Sequence, residues 1–330
     1  MAAIPATYRA YLHEGYGDLA TELQLRCDVP QEILKTDQVR IQVHAAGLNP
    51  ADYKIIEIGA SFMPVSLSPE EPFRVGFDVA GVVAEVGSDV TSLKVGDEVL
   101  ARGDFITRGS CAEYVVIDTK YIVQKPAKLS FQLAASLPVI GLTSYQALSA
   151  EGQLQKGERV LVLGGSSGTG VIAIQIAKLL GASFVAATTS TRNIDFVLSF
   201  GADRVIDYTI EKWAEVLEAH SIDLIYDCGV EPNAWDEGAQ RVLKVNTGRL
   251  VTISREITPS ESPIGATYIR FRKVPNSTDL ALVTQWVESD QLRVPIDSVY
   301  AFEDLLNAFK AIKAGHTRGK VILEVITSKP

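Results

Sequence analysis

The stretch Arg159–Ala182, RVLVLGGSSGTGVIAIQIAKLLGA, constrains this chain more than any other. Val160 to Leu163 is an apolar run of strand length. It breaks into a cluster of Gly and Ser, and helix formers from Val171 to Leu180 follow at once. Gly181 stands where a helix C-cap glycine belongs. Strand, glycine turn and helix together present backbone N–H groups and a helix N-terminus to a pyrophosphate. The spacing is Gly165-x-x-Gly168-x-Gly170, so Gly165, Ser166, Ser167, Gly168, Thr169 and Gly170 form the expected phosphate cradle. An ordinary tight turn of an α/β protein is the blander reading of the same glycines.

The flanks favour the nucleotide. Strand candidates recur at 183–190, 203–208, 222–228, 248–254 and 267–274, most of them separated by helical stretches. Strand and helix in alternation predict an α/β fold with a parallel, doubly wound sheet. In an NAD-binding unit an acid follows about twenty residues past the glycines and takes the ribose hydroxyls. Here that region reads Thr188, Thr189, Ser190, Thr191, Arg192 and Asn193, and the first acid, Asp195, comes late. Hydroxyls, an amide and a guanidinium suit a 2′-phosphate, so the expected cofactor is NADPH. Thr189, Ser190, Arg192 and Asn193 are the candidate contacts. Gly229 and Val230 follow a strand and should border the crevice at the carboxyl edge of the sheet. Thr252 to Ser254 are expected to bind through backbone groups, and Cys228 to be buried and inert.

At 330 residues the chain has room for two domains of ordinary size. A net charge of −9 argues against a nucleic-acid or anionic-membrane surface. The N-terminal stretch is too polar for a signal peptide, and no run is long and apolar enough to span a membrane. Cys27, Cys111 and Cys228 are scattered and odd in number, as expected of reduced thiols in the cytoplasm.

From Ala6 to about Lys125 the pattern changes. The apolar stretches are short, at 39–47, 78–87, 97–101 and 112–118, and Gly, Pro and Asp punctuate them. This reads as a small β-barrel with few helices. Lys128 to Leu148 is a broken helical crossover, with Ser130 as N-cap and Pro138 as the interruption. Helices are expected over 276–290 and 302–314, and a closing strand over 318–326 that could complete the barrel. The expected domains are therefore 1–128 with 275–330, and 129–274.

A barrel containing GLNPADYK and GFDVAGVVAEVGSDVTSLKVGDEVLA, a crossover with ASLPVIGLTSYQAL, the glycine turn and a C-terminal RGKVILEV carry a resemblance that covers nearly the whole chain. It resembles the medium-chain dehydrogenase/reductase superfamily, in the zinc-independent branch of zeta-crystallin-like quinone oxidoreductases and of 2-alkenal and enone reductases. The resemblance implies a GroES-like catalytic domain, a Rossmann domain, NADPH bound in the crevice between them, and a homodimer. It also implies that Thr143 and Tyr145 approach the nicotinamide and that Tyr208 contacts the adenosine phosphate. The superfamily's zinc branch holds its metal with a Cys and a His-Glu pair, and those places here read Asn49-Pro50-Ala51-Asp52 and Gly76-Phe77-Asp78. The four histidines share no metal spacing, so no metal is expected.

Without a metal, the substrate carbonyl must be polarised by hydrogen-bond donors. Hydride added to a simple ketone leaves a localised alkoxide, whereas a quinone or an α,β-unsaturated carbonyl spreads the charge as a phenolate or enolate. The expected substrates are quinones, enals and enones. Candidate donors are Asn49, Tyr53 and Lys54, with Asp52 orienting its neighbours or capping a short helix. Lys54 matches the plant alkenal and enone reductases, whereas a Tyr is frequent at that place in the quinone branch. A non-catalytic NADPH-binding protein, an RNA-binding zeta-crystallin-like protein and a trans-acting enoyl reductase stand as alternatives. The expected assembly is a homodimer with 267–274 as the edge strand.

Overall fold

The computed structural model describes residues 3–59, 67–68, 71–104, 109–254, 259–271 and 274–326. The chain divides into two compact units. The first comprises Met1–Val139, Pro275–Thr284 and Ile296–Pro330, the second Ile140–Val274 and Gln285–Pro295.

The first unit is organised on the long strand Gln38–Leu48. Its valines, isoleucines and alanines are buried on both faces. Along one edge it pairs antiparallel with Asp78–Val86. Along the other it pairs with Tyr114–Asp118 through its first half and with Lys320–Glu324 through its second. Glu98–Arg102, Ile122–Gln124 and Ile296–Ala301 extend this sheet, and a small sheet of Gln24–Pro30, Thr7–His13 and Phe73–Arg74 stands beside it. The closing strand 318–326 expected from the sequence thus enters the barrel as Lys320–Glu324. Ile296–Ala301, parallel to it, was not foreseen, because Asp297 and Ser298 interrupt its apolar residues and only every second residue is partly covered.

The second unit is a six-stranded parallel sheet in the order Arg204–Asp207, Phe184–Thr189, Arg159–Leu163, Leu224–Asp227, Arg249–Thr252, Thr267–Arg270. Sequence order reverses across Arg159–Leu163 and Leu224–Asp227, which makes their carboxyl ends the topological switch point where ligands bind such sheets. Thr267–Arg270 forms the edge, and Arg272 and Lys273 lie outside the described residues.

Two boundaries differ from expectation. Residues 129–139 belong with the barrel, because the helix Phe131–Ser136 lies directly on its long strand. The approach is so close that a Cβ at Gly47 would stand 2.1 Å from the Ala135 carbonyl oxygen. Residues 285–295 belong with the parallel sheet. Gln175 explains this: its amide nitrogen donates to the Arg293 carbonyl (2.9 Å) and its carbonyl accepts from the Arg293 N–H (2.8 Å). No helix among the described residues is long and apolar enough to cross a membrane. All three cysteines are free, Cys27 exposed and the other two buried.

Candidate active site

In the parallel-sheet unit the glycine turn follows directly from Leu163. Gly164 has φ of +88°, a conformation that L side chains rarely adopt. A Cβ there would meet the Gly229 Cα at 2.7 Å, so the two strand ends touch at the switch point. Gly164 was missed in the sequence, since the spacing was read from Gly165 onward. A Cβ at Gly170 would stand 2.2 Å from the Gly164 carbonyl oxygen, which lets the helix Gly168–Leu179 start against the strand end. Ser167 caps that helix: its Oγ accepts from the Gly170 N–H (3.0 Å) and donates to the Gly164 carbonyl (2.8 Å). The first N–H groups of a helix have no acceptor within it, so those of Gly168 and Thr169 remain for a ligand.

Thr188 Oγ1 accepts from the Gly164 N–H (3.0 Å) and is thereby part of the turn itself. Next to it, Thr189 Oγ1 is buried with no hydrogen-bond partner, and so is Asp207 Oδ2 on the adjoining strand end. Two unmatched polar atoms side by side at the carboxyl edge, one of them a carboxylate oxygen that only accepts, fit a ribose hydroxyl. Asp207 Oδ1 accepts from the Thr209 N–H and hydroxyl, and hydrogen bonds from the Thr191 side chain first and the Thr209 side chain second hold the carboxyl below its ordinary range. Ser190, Arg192 and Asn193 form the short turn that follows. Asn193 is buried and donates to Ser190 Oγ (3.3 Å), while Arg192 is exposed. Tyr208 is 59% exposed and its N–H donates to the Thr189 carbonyl. The structure therefore brings Thr189, Ser190, Arg192, Asn193 and Tyr208 to one edge.

Val230 is exposed with φ of +56°, a genuine outlier for a β-branched residue. Such strain gathers at ligand clamps, and here it lies just past the switch point. Cys228 donates to the Leu163 carbonyl, and burial pushes its thiol up to about 12, as expected of an inert residue. Ser254 departs from expectation: its N–H is already given to Thr252 Oγ1 (2.9 Å), whose hydroxyl donates to Asp227. That backbone donor is spent on the strand ends. Thr143 is buried, and its neighbour Ser144 donates to the Thr169 carbonyl (3.0 Å). Tyr145 packs edge-on against Trp286.

The barrel unit holds a different construction. Asn49 N-caps the helix Pro50–Ile58, and Asp52 completes the capping box by accepting from the Asn49 N–H (2.7 Å). The Asn49 side-chain nitrogen donates to the Gly47 carbonyl (3.2 Å) and to Asp78 Oδ2 (3.1 Å). Its oxygen accepts from Lys320 Nζ (2.7 Å), which also donates to the Leu48 carbonyl (2.8 Å) and to Asp78 Oδ2 (3.2 Å). Asp78 Oδ1 accepts from the Val139 N–H (2.9 Å). Asn49, Asp78 and Lys320 are all buried. Burial pushes the Asp78 carboxyl up, against the pull of Lys320, Asn49 and Arg102.

This geometry corrects one of the expected donors. Both amide hydrogens of Asn49 are engaged within the protein, so it orients the cluster and has none left for a substrate. Tyr53 is buried in the barrel core and its ring faces Phe309, 6.3 Å away between centroids. Lys54 is half-buried and makes no hydrogen bond or ion pair among the described residues. Its ammonium is therefore an uncommitted donor. Asp78 and Lys320 were missed as a pair, because 242 positions separate them in sequence. Lys320 did leave a trace as a cation directly before the apolar run of the closing strand. Among the described residues, no three His, Cys, Asp or Glu side chains gather so as to hold a metal ion.

The profile of the alcohol dehydrogenase GroES-like domain matches residues 35–127, and that of the zinc-binding dehydrogenases matches residues 200–323. A 2-methylene-furan-3-one reductase of Solanum lycopersicum is 35% identical over 98% of this chain and 81% of its own. An NADPH-dependent alkenal/one oxidoreductase of Arabidopsis thaliana is 33% identical, again over 98% of this chain and 81% of its own. The solved structure of the quinone oxidoreductase from Coxiella burnetii superposes with a TM-score of 0.84 at 30% identity, covering 97% of this chain and 99% of that one.

Proposed function

Because the chain belongs to the medium-chain dehydrogenase/reductase family, in the branch of the quinone oxidoreductases and alkenal/one reductases, it is an oxidoreductase that uses a nicotinamide cofactor, and we propose that it reduces a quinone, enal or enone with NADPH and without a metal. The observation that carries this reading is the closed circle of Asn49, Asp78 and Lys320. By resemblance, Asn49 and Asp78 stand at places where zinc relatives keep ligands. Here both serve a buried ammonium, which repels a second cation. Polarisation is then left to hydrogen-bond donors, which suffice for a delocalised phenolate or enolate.

The chain's residues divide the work as follows. The Gly168 and Thr169 N–H groups at the helix start would hold the pyrophosphate, and Ser190, Arg192 and Tyr208 the 2′-phosphate. Gly229 and Val230 border the same edge. When bound, the cofactor supplies the hydride. Lys54 donates to the substrate oxygen as charge gathers there, and Asn49 and Asp52 fix the helix that carries it. The uncovered edge strand Thr267–Arg270 supports a homodimer built by sheet extension. Three free thiols fit a reducing compartment such as the cytoplasm.

The test is a pair of measurements. NADPH should bind at least tenfold tighter than NADH, as expected for a bidentate phosphate contact worth about 1.5–3 kcal/mol. The loaded protein should reduce short enones or simple quinones and leave primary alcohols unoxidised. Equal affinity for both cofactors sinks the 2′-phosphate assignment. Activity confined to alcohols sinks the reaction.

A further inference from the structure

Arg102 ends the strand Glu98–Arg102 and sits directly across from Asp78 in the antiparallel ladder, so both side chains leave the same face of the sheet. It is only 4% exposed. Its guanidinium lies over the Phe77 ring, 5.4 Å from the centroid. Nε is buried with no acceptor, and among the described residues Arg102 makes no ion pair.

The carboxylates whose charge reaches it are Asp78, Asp104 and Asp52. Asp78 is taken by Lys320, Asn49 and the Val139 N–H. Asp52 accepts from the Asn49 N–H, and Asp104 accepts from the Tyr121 hydroxyl (3.0 Å). A guanidinium stripped of water and left unmatched is costly, and native structures keep few such groups. Its planar fork of donors matches an oxygen anion, and an aromatic floor is a usual seat for it.

We propose that the Arg102 guanidinium, held over Phe77 with its Nε hydrogen unmatched, is the anion-holding group of the barrel unit and receives the substrate oxygen on which negative charge collects. The proposal rests on the reductase reading and deepens it. In enone reduction the hydride's electron pair becomes a new C–H bond at the β-carbon. The C=C pair moves to join the α-carbon to the carbonyl carbon, and the C=O pair settles on oxygen as an enolate. A proton from water at the α-carbon then restores the carbonyl. Arg102 meets the oxygen during the interval when it is charged, and Lys54 is the second donor.

4-Nitrophenol tests this without turnover, because its phenolate mimics the charged oxygen and is yellow. Full-length protein without cofactor is titrated with it at the pH where the free phenol is half ionised. Wild type should favour the phenolate, and Arg102→Met should bind it at least tenfold more weakly, as for the loss of a charged hydrogen bond. Arg102→Lys should recover part of the difference, which a purely structural role would not predict for the bound ligand's colour. Equal phenolate binding by wild type and Arg102→Met overturns the proposal. Should Arg102→Met fail to fold, a crystal of wild type soaked with the phenolate decides: its oxygen within hydrogen-bond distance of Arg102 supports the assignment, and seating elsewhere refutes it. Phenolate held at Arg102 in a protein that reduces neither quinones nor enones would sink the reductase reading and spare the anion site. Undiminished enone reduction by a folded Arg102→Met would do the reverse.

Discussion

The glycine turn and the Asn49 cluster solve opposite problems. The turn is made of backbone: Gly164, Gly170 and Gly229 remove side chains so that two strand ends and a helix start meet. What it leaves over is unmatched polarity, at Thr189 and Asp207 and at the helix N-terminus. The cluster is made of side chains that satisfy one another, Lys320 through three acceptors and Asn49 through both ends of its amide. What it leaves over is the nearby uncommitted Lys54 and Arg102. A region with unmatched atoms is prepared for a ligand, and a region with matched ones is prepared to hold a shape.

The largest effect should come from breaking the matched region. Lys320→Met strands Asp78 as a buried charge, which typically costs about 3–5 kcal/mol. The three tryptophans all lie in the parallel-sheet unit, so fluorescence does not report on the barrel. Hydrogen exchange across the Gln38–Leu48 strand does. The loss should depend on pH. Burial raises the Asp78 carboxyl in the folded state above its unfolded value, so the folded protein holds the proton more tightly. Stability linked to this group therefore falls as pH rises from the ordinary carboxylate range through the raised value. Removing Lys320 takes away the strongest opposing pull and widens that window, so the variant's deficit should shrink on acidification from about pH 8 to about pH 5. A deficit independent of pH would mean that Asp78 is not the stranded group.

How much of this was legible follows from the same contrast. Arg159–Leu163, Phe184–Thr189, Arg204–Asp207, Leu224–Asp227 and Arg249–Thr252 all fall within stretches read from the sequence, because strand, turn and helix are local signals. The glycine cradle was legible for the same reason, although Gly164 escaped a spacing counted from Gly165. The cluster was not. Asn49 and Lys320 are 271 positions apart, and only the register of Lys320–Glu324 against Ala45–Leu48 brings them together. A sequence shows that Asn49 has donors but not that both are already engaged. Arg102 was passed over for a related reason: a cation ending an apolar strand looks like an exposed edge until Asp78 is found across from it.

The next effect separates shape from chemistry within the barrel. Lys54→Met should leave unfolding and cofactor affinity unchanged and lower turnover about 100-fold, the usual consequence of removing one donor from a developing oxyanion. Asn49→Ala should instead weaken the fold, since it leaves Lys320 and Asp78 each short of a partner. Melting and kinetics measured on both variants decide the matter. A normally stable Asn49→Ala with no activity, beside a fully active Lys54→Met, would return the donor role to Asn49.

The smallest effect tests the unmatched region, and its sign carries the information. Thr189 Oγ1 is buried without a partner in the protein alone. Replacing Thr189 by Val keeps the shape and removes the hydroxyl. If that hydroxyl awaits a ligand, the cofactor-free protein should be as stable as wild type or more so by up to about 1 kcal/mol, since an unsatisfied buried group has been removed. The same change should weaken cofactor binding by roughly 0.5–1.5 kcal/mol, about two- to twelvefold, through one lost hydrogen bond. Trp213 and Trp235 lie in this unit and let intrinsic fluorescence follow both quantities. Stability and affinity moving in opposite directions is the signature of a group kept for a ligand. A Thr189→Val protein that unfolded more easily and bound the cofactor as before would show instead that the hydroxyl serves the sheet. The unmatched edge would then be as self-contained as the barrel cluster.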